Sequence, residues 1–308
     1  MDISIIIPCF NEAAILRQTL GAIGRYMLDF KGSFEIIIVD NGSTDGSLQI
    51  GQEYGIKTLL APSITIAALR NLGVTHSSGT ILAFLDADVE ITKEWVHAIQ
   101  AFAANYPSNA SIITGAPYLK PSNASWLENH WFVGSEFSQK HINSGNMVVP
   151  RALFTRLSGF DEKLITGEDW EFCQRATRFG SKLVIDPKFK TYHYGFPKSL
   201  TQFIKREIWH GLGDSGSWQK IIHSRPAMLA LVSISCCILC LVLGIWFTAP
   251  SLFIAGFLAI IFPSLAMSFK RSQTLGHIPG NTLIASVYIL ARFGALVKNA
   301  VRTTSKKR

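Results

Sequence analysis

The sequence predicts an α/β fold with a mainly parallel sheet, followed by helices that enter a membrane. Three observations support this prediction. Short β-rich apolar runs alternate with helical segments in the first third of the chain, polar clusters follow those runs, and the last third contains a long stretch without charged residues. Strands that alternate with helices are typical of parallel sheets with right-handed crossovers and flanking helices.

The predicted elements follow one another along the first two thirds of the chain. Ile3 to Pro8 is a continuous apolar run stopped by proline, which is typical of a strand buried on both faces. A helix is predicted from Asn11 and Glu12 to about Met27. The other predicted elements are strands at 34–39, 57–60, 80–85 and 184–187, and helices after Gly46, at 64–74, from about Arg151 and from Asp169.

Polar side chains follow three of the predicted strands. Asn11 and Glu12 come after the first strand, Asp40 follows the second, and Asp86 and Asp88 follow the fourth. In open parallel sheets, ligands bind outside the carboxyl ends of the strands. We therefore expect these groups to converge on one cleft.

Asp86-Ala87-Asp88 is the central element of this cleft. In an extended segment, side chains two residues apart point to the same side, so both carboxylates can face one ligand. Two hard oxygen donors suit Mg²⁺ or Mn²⁺. The alternative for an isolated Asp-x-Asp is a solvated loop, and the position after a buried strand favours the metal site.

Composition and missing motifs exclude several classes of protein. The sequence has no Gly-x-Gly-x-x-Gly turn after the first strand and no P-loop motif, which argues against a dinucleotide-dependent dehydrogenase and a P-loop ATPase. The net charge is +8, but no nucleic-acid-binding signature accompanies it, so no nucleic-acid partner is expected. The five cysteines form neither a disulfide pattern nor a zinc motif.

The carboxyl-terminal third predicts a membrane region. No Asp, Glu, Lys, Arg or His occurs at 226–269, a stretch about twice as long as the roughly 20 residues that one helix needs to cross a bilayer. We predict two spans at about 228–248 and 252–269. Residues 283–297 form a shorter apolar segment that carries Arg292, which indicates an interfacial or re-entrant helix, with a third span as the alternative.

Two domains are therefore expected. Residues 1–222 form a cytoplasmic domain, because the amino terminus lacks the features of a signal peptide. This domain ends with an amphipathic helix at 199–212 that lies at the membrane interface or forms an ordinary surface helix. Residues 223–308 form the membrane region with its basic tail, and cations flank the two spans on the side expected to face the cytoplasm.

Five stretches of the sequence resemble the inverting family-2 glycosyltransferases of the GT-A fold. They occur in the order of that family, and the resemblance covers the first two thirds of the chain. Cys9-Phe10 departs from the pattern, because many relatives have a hydroxyl residue or tyrosine there. The five stretches are residues 6–12, 39–46, 67–73, 84–88 and 166–170.

The resemblance implies how a nucleotide-activated sugar is bound. Asp40 would accept a hydrogen bond from the base, Arg70 would approach the base or the diphosphate, and Asp86 would contact the ribose or a metal-bound water. Asp88 would bind Mg²⁺ or Mn²⁺ directly, with Asp86 and His193 completing the site; the alternative for His193 is a packing role. The other expected nucleotide-binding residues are Pro8, Phe10, Glu12 and Arg206.

The resemblance also implies a catalytic base. Inverting transfer needs a carboxylate that takes the proton of the acceptor hydroxyl, and Asp169 is the expected base, with Glu168 orienting it or the acceptor. The alternative for Asp169 is a helix N-cap, a position where Asp is favoured for backbone reasons alone.

The expected enzyme is a membrane-anchored, hexosyltransferase-like glycosyltransferase. Its donor is expected to be UDP- or GDP-linked, and its acceptor a polyprenyl-linked lipid or a growing cell-envelope glycan. Two alternatives stay open: a catalytically silent membrane scaffold that binds a nucleotide sugar, and a sugar nucleotidyltransferase. The sequence lacks the Gly-rich phosphate loop that would support a nucleotidyltransferase.

Overall fold

The computed structural model describes residues 2–106, 108–132, 141–272 and 274–305. The chain divides into two compact units. The first unit comprises Met1–Ser122 and Glu136–Phe196, and the second comprises Asn123–Ser135 and Pro197–Arg308.

Nine strands lie within the described residues. Seven form one sheet in the order β3-β2-β1-β4-β7-β6-β8, and β5 and β9 form a small antiparallel pair. The strands are β1 (Ile3–Cys9), β2 (Phe34–Asp40), β3 (Lys57–Leu60), β4 (Ile81–Leu85), β5 (Val89–Ile91), β6 (Ile112–Gly115), β7 (Asn146–Pro150), β8 (Lys182–Ile185) and β9 (Thr191–His193).

Helices cover the sheet of the first unit and make up most of the second. They are α1 (Ala13–Tyr26), α2 (Ser47–Glu53), α3 (Ile66–Thr75), α4 (Lys93–Ala104), α5 (Trp126–Trp131), α6 (Arg151–Arg156), α7 (Glu168–Arg178), α8 (Leu200–Asp214), α9 (Trp218–His223), α10 (Arg225–Trp246), α11 (Pro250–Arg271) and α12 (Ile278–Ser305). Short 3-10 helices at Met27–Asp29 and Leu275–His277 precede β2 and α12.

The prediction of a mainly parallel sheet is confirmed. β1 pairs in parallel with β2 and β4, β2 with β3, and β6 with β8. β7 runs antiparallel to both β4 and β6 and was not predicted as a strand. The alternation of strands with helices along the sequence does not reveal the antiparallel direction of β7, because a strand buried on both faces has the same apolar composition in either direction.

Both faces of the sheet are covered, which explains the unbroken apolar run of β1. Ile5 and Ile7 pack in the cluster that contains Leu20 of α1 and Trp95 of α4. Ile6 packs in the opposite cluster, which contains Phe172 of α7. Since successive side chains of a strand point to opposite faces, a strand between two helical layers must be apolar at every position.

The second unit contains the predicted pair of apolar helices. α10 and α11 are each 22 residues long, and both are long and apolar enough to cross a membrane. α10 begins with an N-cap bond from Ala227 N to Ser224 Oγ, and proline occupies the first turn of both helices, where its missing N–H costs nothing. α12 has 28 residues, and the segment Leu275–Val301 also meets the length and composition of a span. The predicted extent of 283–297 was therefore too short.

Candidate functional site

Two loops at the carboxyl edge of the sheet are joined by hydrogen bonds. They follow β1 and β2, which pair so that Cys9 lies opposite Asp40. Asn11 has φ 57, a left-handed conformation that Asn tolerates better than most residues. Its Oδ1 accepts a hydrogen bond from Thr44 N at 2.9 Å, and its own N–H donates to Ser43 Oγ at 2.8 Å. These hydrogen bonds therefore fix the two loops relative to each other beside the carboxyl end of β4.

Asp40 offers a buried acceptor at this edge. The residue is fully buried, and its Oδ1 accepts hydrogen bonds from the backbone N–H groups of Gly42 and Ser43 at 2.9 and 2.7 Å. Its Oδ2 is buried without a hydrogen-bond partner among the described residues. An unsatisfied buried acceptor costs about 1–3 kcal/mol, so a ligand donor placed there would be bound selectively.

Asp86, Asp88 and His193 form a cluster that fits a metal ion. One ligand atom from each lies within 4.8 Å of the others. The pairing of β5 with β9 sets Val89 opposite His193, which brings the His193 Nε2 to 3.4 Å from Asp88 Oδ2. Two carboxylates and one imidazole are suitable ligands for a divalent cation such as Mn²⁺.

The ring of His193 is fixed by aromatic neighbours. Tyr118 stacks on it with ring centroids 4.5 Å apart, and Phe196 lies at 4.2 Å. The Tyr118 hydroxyl is 2.8 Å from Asn143 Oδ1 and 3.3 Å from Asp86 Oδ2. Burial and then the nearby carboxylates raise the pKa of Tyr118 well above its ordinary value, so the phenol stays protonated and acts as a donor. His193 therefore both packs against aromatic rings and faces Asp88.

Two glycines allow the backbone to approach the carboxylates. A Cβ built on Gly145 would collide with Asp86 Oδ2 and with the hydroxyl of Tyr118, and a Cβ on Gly195 would collide with Asp88 Oδ2. Each carboxylate therefore packs against the backbone of a glycine, and any residue with a Cβ at that position would collide with it. The role of these glycines was not predicted, because nothing in the local sequence pattern shows which distant side chain a glycine contacts.

We expect the Gly145→Ala substitution to weaken Mn²⁺ binding by about 10- to 100-fold, the range found when groups that orient metal ligands are changed. The added methyl group displaces the Asp86 carboxylate or the Tyr118 hydroxyl. Isothermal titration calorimetry with MnCl₂ measures the effect. The matched control is Gly24→Ala on helix α1, because a Cβ added there meets no neighbouring atom within 4 Å. Unchanged Mn²⁺ affinity in a folded Gly145→Ala protein would show that the packing of Asp86 against Gly145 does not affect metal binding.

Arg70 links the metal cluster to helix α7. Its Nη2 donates to Asp86 Oδ1 and its Nη1 donates to Glu168 Oε1, both at 2.7 Å, and the side chain is only 3% exposed. Ser144 Oγ donates to the same Glu168 oxygen at 3.0 Å. A planar guanidinium can hold two carboxylates in fixed directions, which a lysine cannot do. In this structure Arg70 therefore positions acidic side chains, a contact that the sequence did not reveal.

Asp169 stands in the first turn of α7. The N-cap residue is Gly167, with φ 82, and Glu168 is the first helical residue, so the alternative that Asp169 is the N-cap is wrong. The half-buried Asp169 accepts a hydrogen bond from Trp170 N at 2.7 Å through Oδ1 and from Ser144 N at 3.4 Å through Oδ2. Ser144 thus contacts both neighbouring carboxyl groups.

The concentration of carboxyl groups changes their proton affinities. Burial, followed by the charges of Asp88 and Asp86, raises the pKa of Glu12 to about 7. Burial also raises the pKa of Glu168, although Arg70 acts in the opposite direction. The pKa of Glu12 is therefore raised mainly by burial and further by the negative charges of Asp88 and Asp86, and a cation bound beside these carboxylates would lower it.

We expect Mn²⁺ affinity to fall as the pH falls from 8 to 6. Below pH 7, Glu12 holds a proton in the metal-free protein, whereas a nearby cation favours the ionised form, so binding must release that proton. The contribution of Glu12 approaches a factor of about 10 per pH unit below its pKa. Titrations at pH 6, 7 and 8 test this, with Glu12→Gln as the comparison, because the difference between the two proteins isolates the contribution of Glu12. An identical pH dependence in both proteins would contradict the assignment to Glu12.

Three other residues predicted from the sequence make none of the contacts described above. Pro8 is a buried residue of β1 opposite Val39, and Phe10 is 55% exposed at the end of that strand. Arg206 lies on α8 of the second unit, where its guanidinium lies 5.0 Å from the ring centroid of Phe132. The structure places the other predicted residues, together with Phe10, at the carboxyl edge of the sheet of the first unit.

This fold and this site define a class of protein. The mainly parallel sheet with flanking helices has the GT-A type of fold, and Asp86 and Asp88 follow its central strand β4. The family model described as glycosyl transferase family 2 matches residues 4–158. The chain belongs to this family, which confirms the resemblance found in the sequence.

Curated relatives are glycosyltransferases as well. The chain is 26% identical over 244 residues to glycosyltransferase AglE of Haloferax volcanii, which covers 74% of this chain and 79% of the relative. It is 27% identical over 225 residues to validoxylamine A glucosyltransferase of Streptomyces hygroscopicus subsp. jinggangensis, which covers 59% of this chain and 53% of the relative. The chain therefore spans about half the length of this second relative.

Solved structures share the fold. Mannosyltransferase PcManGT from Pyrobaculum calidifontis, in complex with GDP-Man and Mn²⁺, matches with a TM-score of 0.59 and 14% identity, covering 96% of this chain and 86% of that chain. S. aureus TarS 1-349, in complex with UDP, matches with a TM-score of 0.50 and 19% identity, covering 73% of this chain and 67% of that chain. At these identities the likeness shows the fold alone.

Proposed function

We propose that this glycosyltransferase moves a hexose, with inversion, from a UDP- or GDP-linked donor to a membrane-associated acceptor at the cytoplasmic face of a membrane. The acceptor is a polyprenyl-linked lipid or a glycan. The observation that supports the proposal most strongly is the meeting of Asp86, Asp88 and His193 in one cluster, linked through Arg70 to the start of α7.

The nucleotide is proposed to bind along the ends of β1 and β2. The Oδ2 atom of Asp40 is a buried acceptor without a partner among the described residues, and it suits an N–H group of a base. Phe10 presents an exposed ring at the same edge, which can cover a base or a ribose. The UDP complex of TarS and the GDP-Man complex of PcManGT support a nucleoside diphosphate sugar as donor, without distinguishing the two bases.

Mg²⁺ or Mn²⁺ would be held by Asp88, with Asp86 and His193 beside it. When bound, such an ion stabilises the negative charge of a departing nucleoside diphosphate. Arg70 keeps Asp86 in place, and Gly145 and Gly195 leave the space that the two carboxylates fill. The Mn²⁺ in the PcManGT complex supports this role for the cluster.

Asp169 is proposed to act as the general base. A carboxylate that faces the acceptor removes the proton of its hydroxyl as the sugar bond forms, and inversion requires this group on the side opposite the leaving diphosphate. Asp169 is half-buried, and Glu168 beside it is held by Arg70 and Ser144. Glu168 therefore acts as a positioning group for the start of α7, and the Asp169 Oδ2, whose bond from Ser144 N is the longer one at 3.4 Å, is the oxygen proposed to take the proton.

Observations in the second unit support the proposed membrane acceptor and the proposed cytoplasmic orientation. Three helices are long and apolar enough to cross a membrane, which supports an acceptor that is itself in the membrane. Arg225 begins the first apolar helix, and Lys270 and Arg271 end the second, so both outer ends of this hairpin carry cations. By the positive-inside tendency these ends face the cytoplasm. Arg206, also in the second unit, is proposed to contact a phosphate of the substrates.

A donor screen on membranes that contain the full chain tests the proposal. Released nucleoside diphosphate is measured with UDP- and GDP-linked sugars, in the presence and absence of MnCl₂ and of a polyprenyl phosphate acceptor. We expect release with one donor, dependent on metal and acceptor, and none with Asp88→Ala or Asp169→Asn. A folded protein that binds a donor but releases nucleotide under none of these conditions would support the silent scaffold instead.

A further inference from the structure

Arg292 is a charged residue in the middle of the apolar helix α12. Its Nη2 donates to Glu207 Oε2 and its Nη1 donates to Asp214 Oδ2, both at 3.0 Å. The guanidinium also lies 4.9 Å from the ring centroid of Tyr288. Arg292 is 12% exposed and Glu207 is 7% exposed, so this ion pair is largely buried, and removing one partner would leave an uncompensated charge. The pair fixes α12 to α8 at this point.

α8 and α12 lie side by side over several turns. The neighbouring residues advance along both helices in the same direction. Phe203 and Ile284 belong to one hydrophobic cluster, Gly211 lies against Ala295, and Leu212 O accepts a hydrogen bond from Asn299 Nδ2 at 3.0 Å. The helix α5 covers the beginning of the same stretch, where Trp131 contacts both Phe203 and Tyr288 at ring distances of 5.2 Å. The depth of α12 in a membrane is therefore tied to the depth of α8.

The outward face of α8 does not suit the hydrocarbon core. Lys205 is exposed on it, beside Trp209, which is 44% exposed, and Ile204, which is 37% exposed. Charged residues that face lipid at the bilayer centre are rare, whereas a mixture of lysine, tryptophan and aliphatic side chains is typical of helices in the headgroup region. α8 therefore fits the interface, and α12 must lie at a similar depth.

The contacts of α12 with the hairpin are consistent with this depth. Ile289 packs with Ala230 and Ile234 in the first half of α10, and Ser286 Oγ is 3.0 Å from Ser264 Oγ in the second half of α11. These halves adjoin the flanking cations of the hairpin. At the other end of the hairpin, apolar side chains such as Phe257 are exposed and would face lipid.

We propose that α8 and α12 together form a surface that lies in the headgroup layer of an anionic membrane, and that only α10 and α11 cross the bilayer. The carboxyl terminus then stays on the side from which α10 enters. Lys298, which is exposed on α12 after Arg292, then faces the anionic headgroups. α12 meets the length and composition of a span, but its ion pairs with a polar helix hold it at the surface.

Cysteine labelling of the full chain tests this topology. Leu283→Cys and Val301→Cys are made separately after Cys236, Cys237 and Cys240 are replaced by alanine, since Leu283 and Val301 are 54% and 62% exposed. Eighteen residues separate the two positions, so a helix places them about 27 Å apart, close to the thickness of the hydrocarbon core. Membrane vesicles of both orientations are treated with a membrane-impermeant maleimide.

We expect both cysteines to react from the side of α10 entry and neither from the other side. Thr248→Cys, between α10 and α11, is the control and reacts only from the opposite side. Reaction of positions 283 and 301 from opposite sides would show that α12 crosses the membrane and would overturn the proposal. Failure of both positions to react from either side, in a protein labelled at position 248, would place α12 in the hydrocarbon core and would also overturn it.

Discussion

The Asp169→Asn substitution is expected to lower the rate of sugar transfer by about a thousandfold, within the range of 10²–10⁴ typical of a general base. Asparagine keeps the size of the side chain and can still accept the hydrogen bond from Trp170 N, but it cannot take a proton. The affinity for the donor should change little, because the proposed base faces the acceptor. Single-turnover transfer assays and a separate donor-binding titration measure the two effects.

Glu171→Gln is the matched control for this substitution. It removes a carboxylate from the same helix, but Glu171 pairs with Arg175 at 2.6 Å through its Oε2. We expect it to retain most of the transfer rate, with a small loss of stability from the weakened pair. Full turnover by Asp169→Asn, or an equal loss in both variants, would contradict the assignment of Asp169 as base.

The Asp88→Asn substitution is expected to abolish tight Mn²⁺ binding and to lower transfer by at least about a hundredfold, because the ion contributes several kcal/mol to leaving-group stabilisation. Asparagine fills the same space against Gly195 without the negative charge. Donor affinity measured with Mn²⁺ should fall toward the value measured without metal. Calorimetry with MnCl₂, alone and with UDP or GDP, measures the loss.

Glu90→Gln is the control for Asp88→Asn. Glu90 stands two residues further along, but its Oε2 accepts hydrogen bonds from Gln18 Nε2 and from the hydroxyl of Tyr194, outside the metal cluster. We expect normal Mn²⁺ affinity in this variant. If Asp88→Asn still bound Mn²⁺ as tightly as the unaltered protein, the cluster would not be the metal site.

The sequence predicted the part of the fold whose signals are local. The apolar run of β1 and the alternation of strands with helices identified a mainly parallel sheet, and β1 to β4 occur close to their predicted positions. The reversed strand β7 was missed, because strand direction depends on pairing with β4 and β6, which are distant in sequence. The sequence pattern within a strand does not identify the distant strands with which it pairs.

The candidate site was predicted where a short motif supplied its residues. Asp86 and Asp88 are two residues apart at a strand end, and the structure brings His193 to them through the pairing of β5 with β9. Tyr118 and Gly145 were not predicted, since their role arises from contacts with Asp86 across the fold. A glycine that leaves room for a carboxylate cannot be recognised before that carboxylate has been placed.

The extent of α12 illustrates a different limit. The sequence predicted a short interfacial or re-entrant helix at 283–297 that carries Arg292, whereas the helix extends over Ile278–Ser305, and Glu207 and Asp214 compensate the charge of Arg292. Hydropathy along one segment does not include the partners of its charged residues. The length of this helix was therefore underestimated, and the contact of Arg292 with α8 was not predicted.

The most direct test of the account is a crystal of the full chain with Mn²⁺ and UDP or GDP, measured at a wavelength where manganese scatters anomalously. We predict one anomalous peak, about 2.1 Å from an oxygen of Asp88, with Asp86 and His193 beside it and the diphosphate in contact with the ion. A nucleotide bound elsewhere on the chain, or a manganese peak remote from Asp88, would contradict the account.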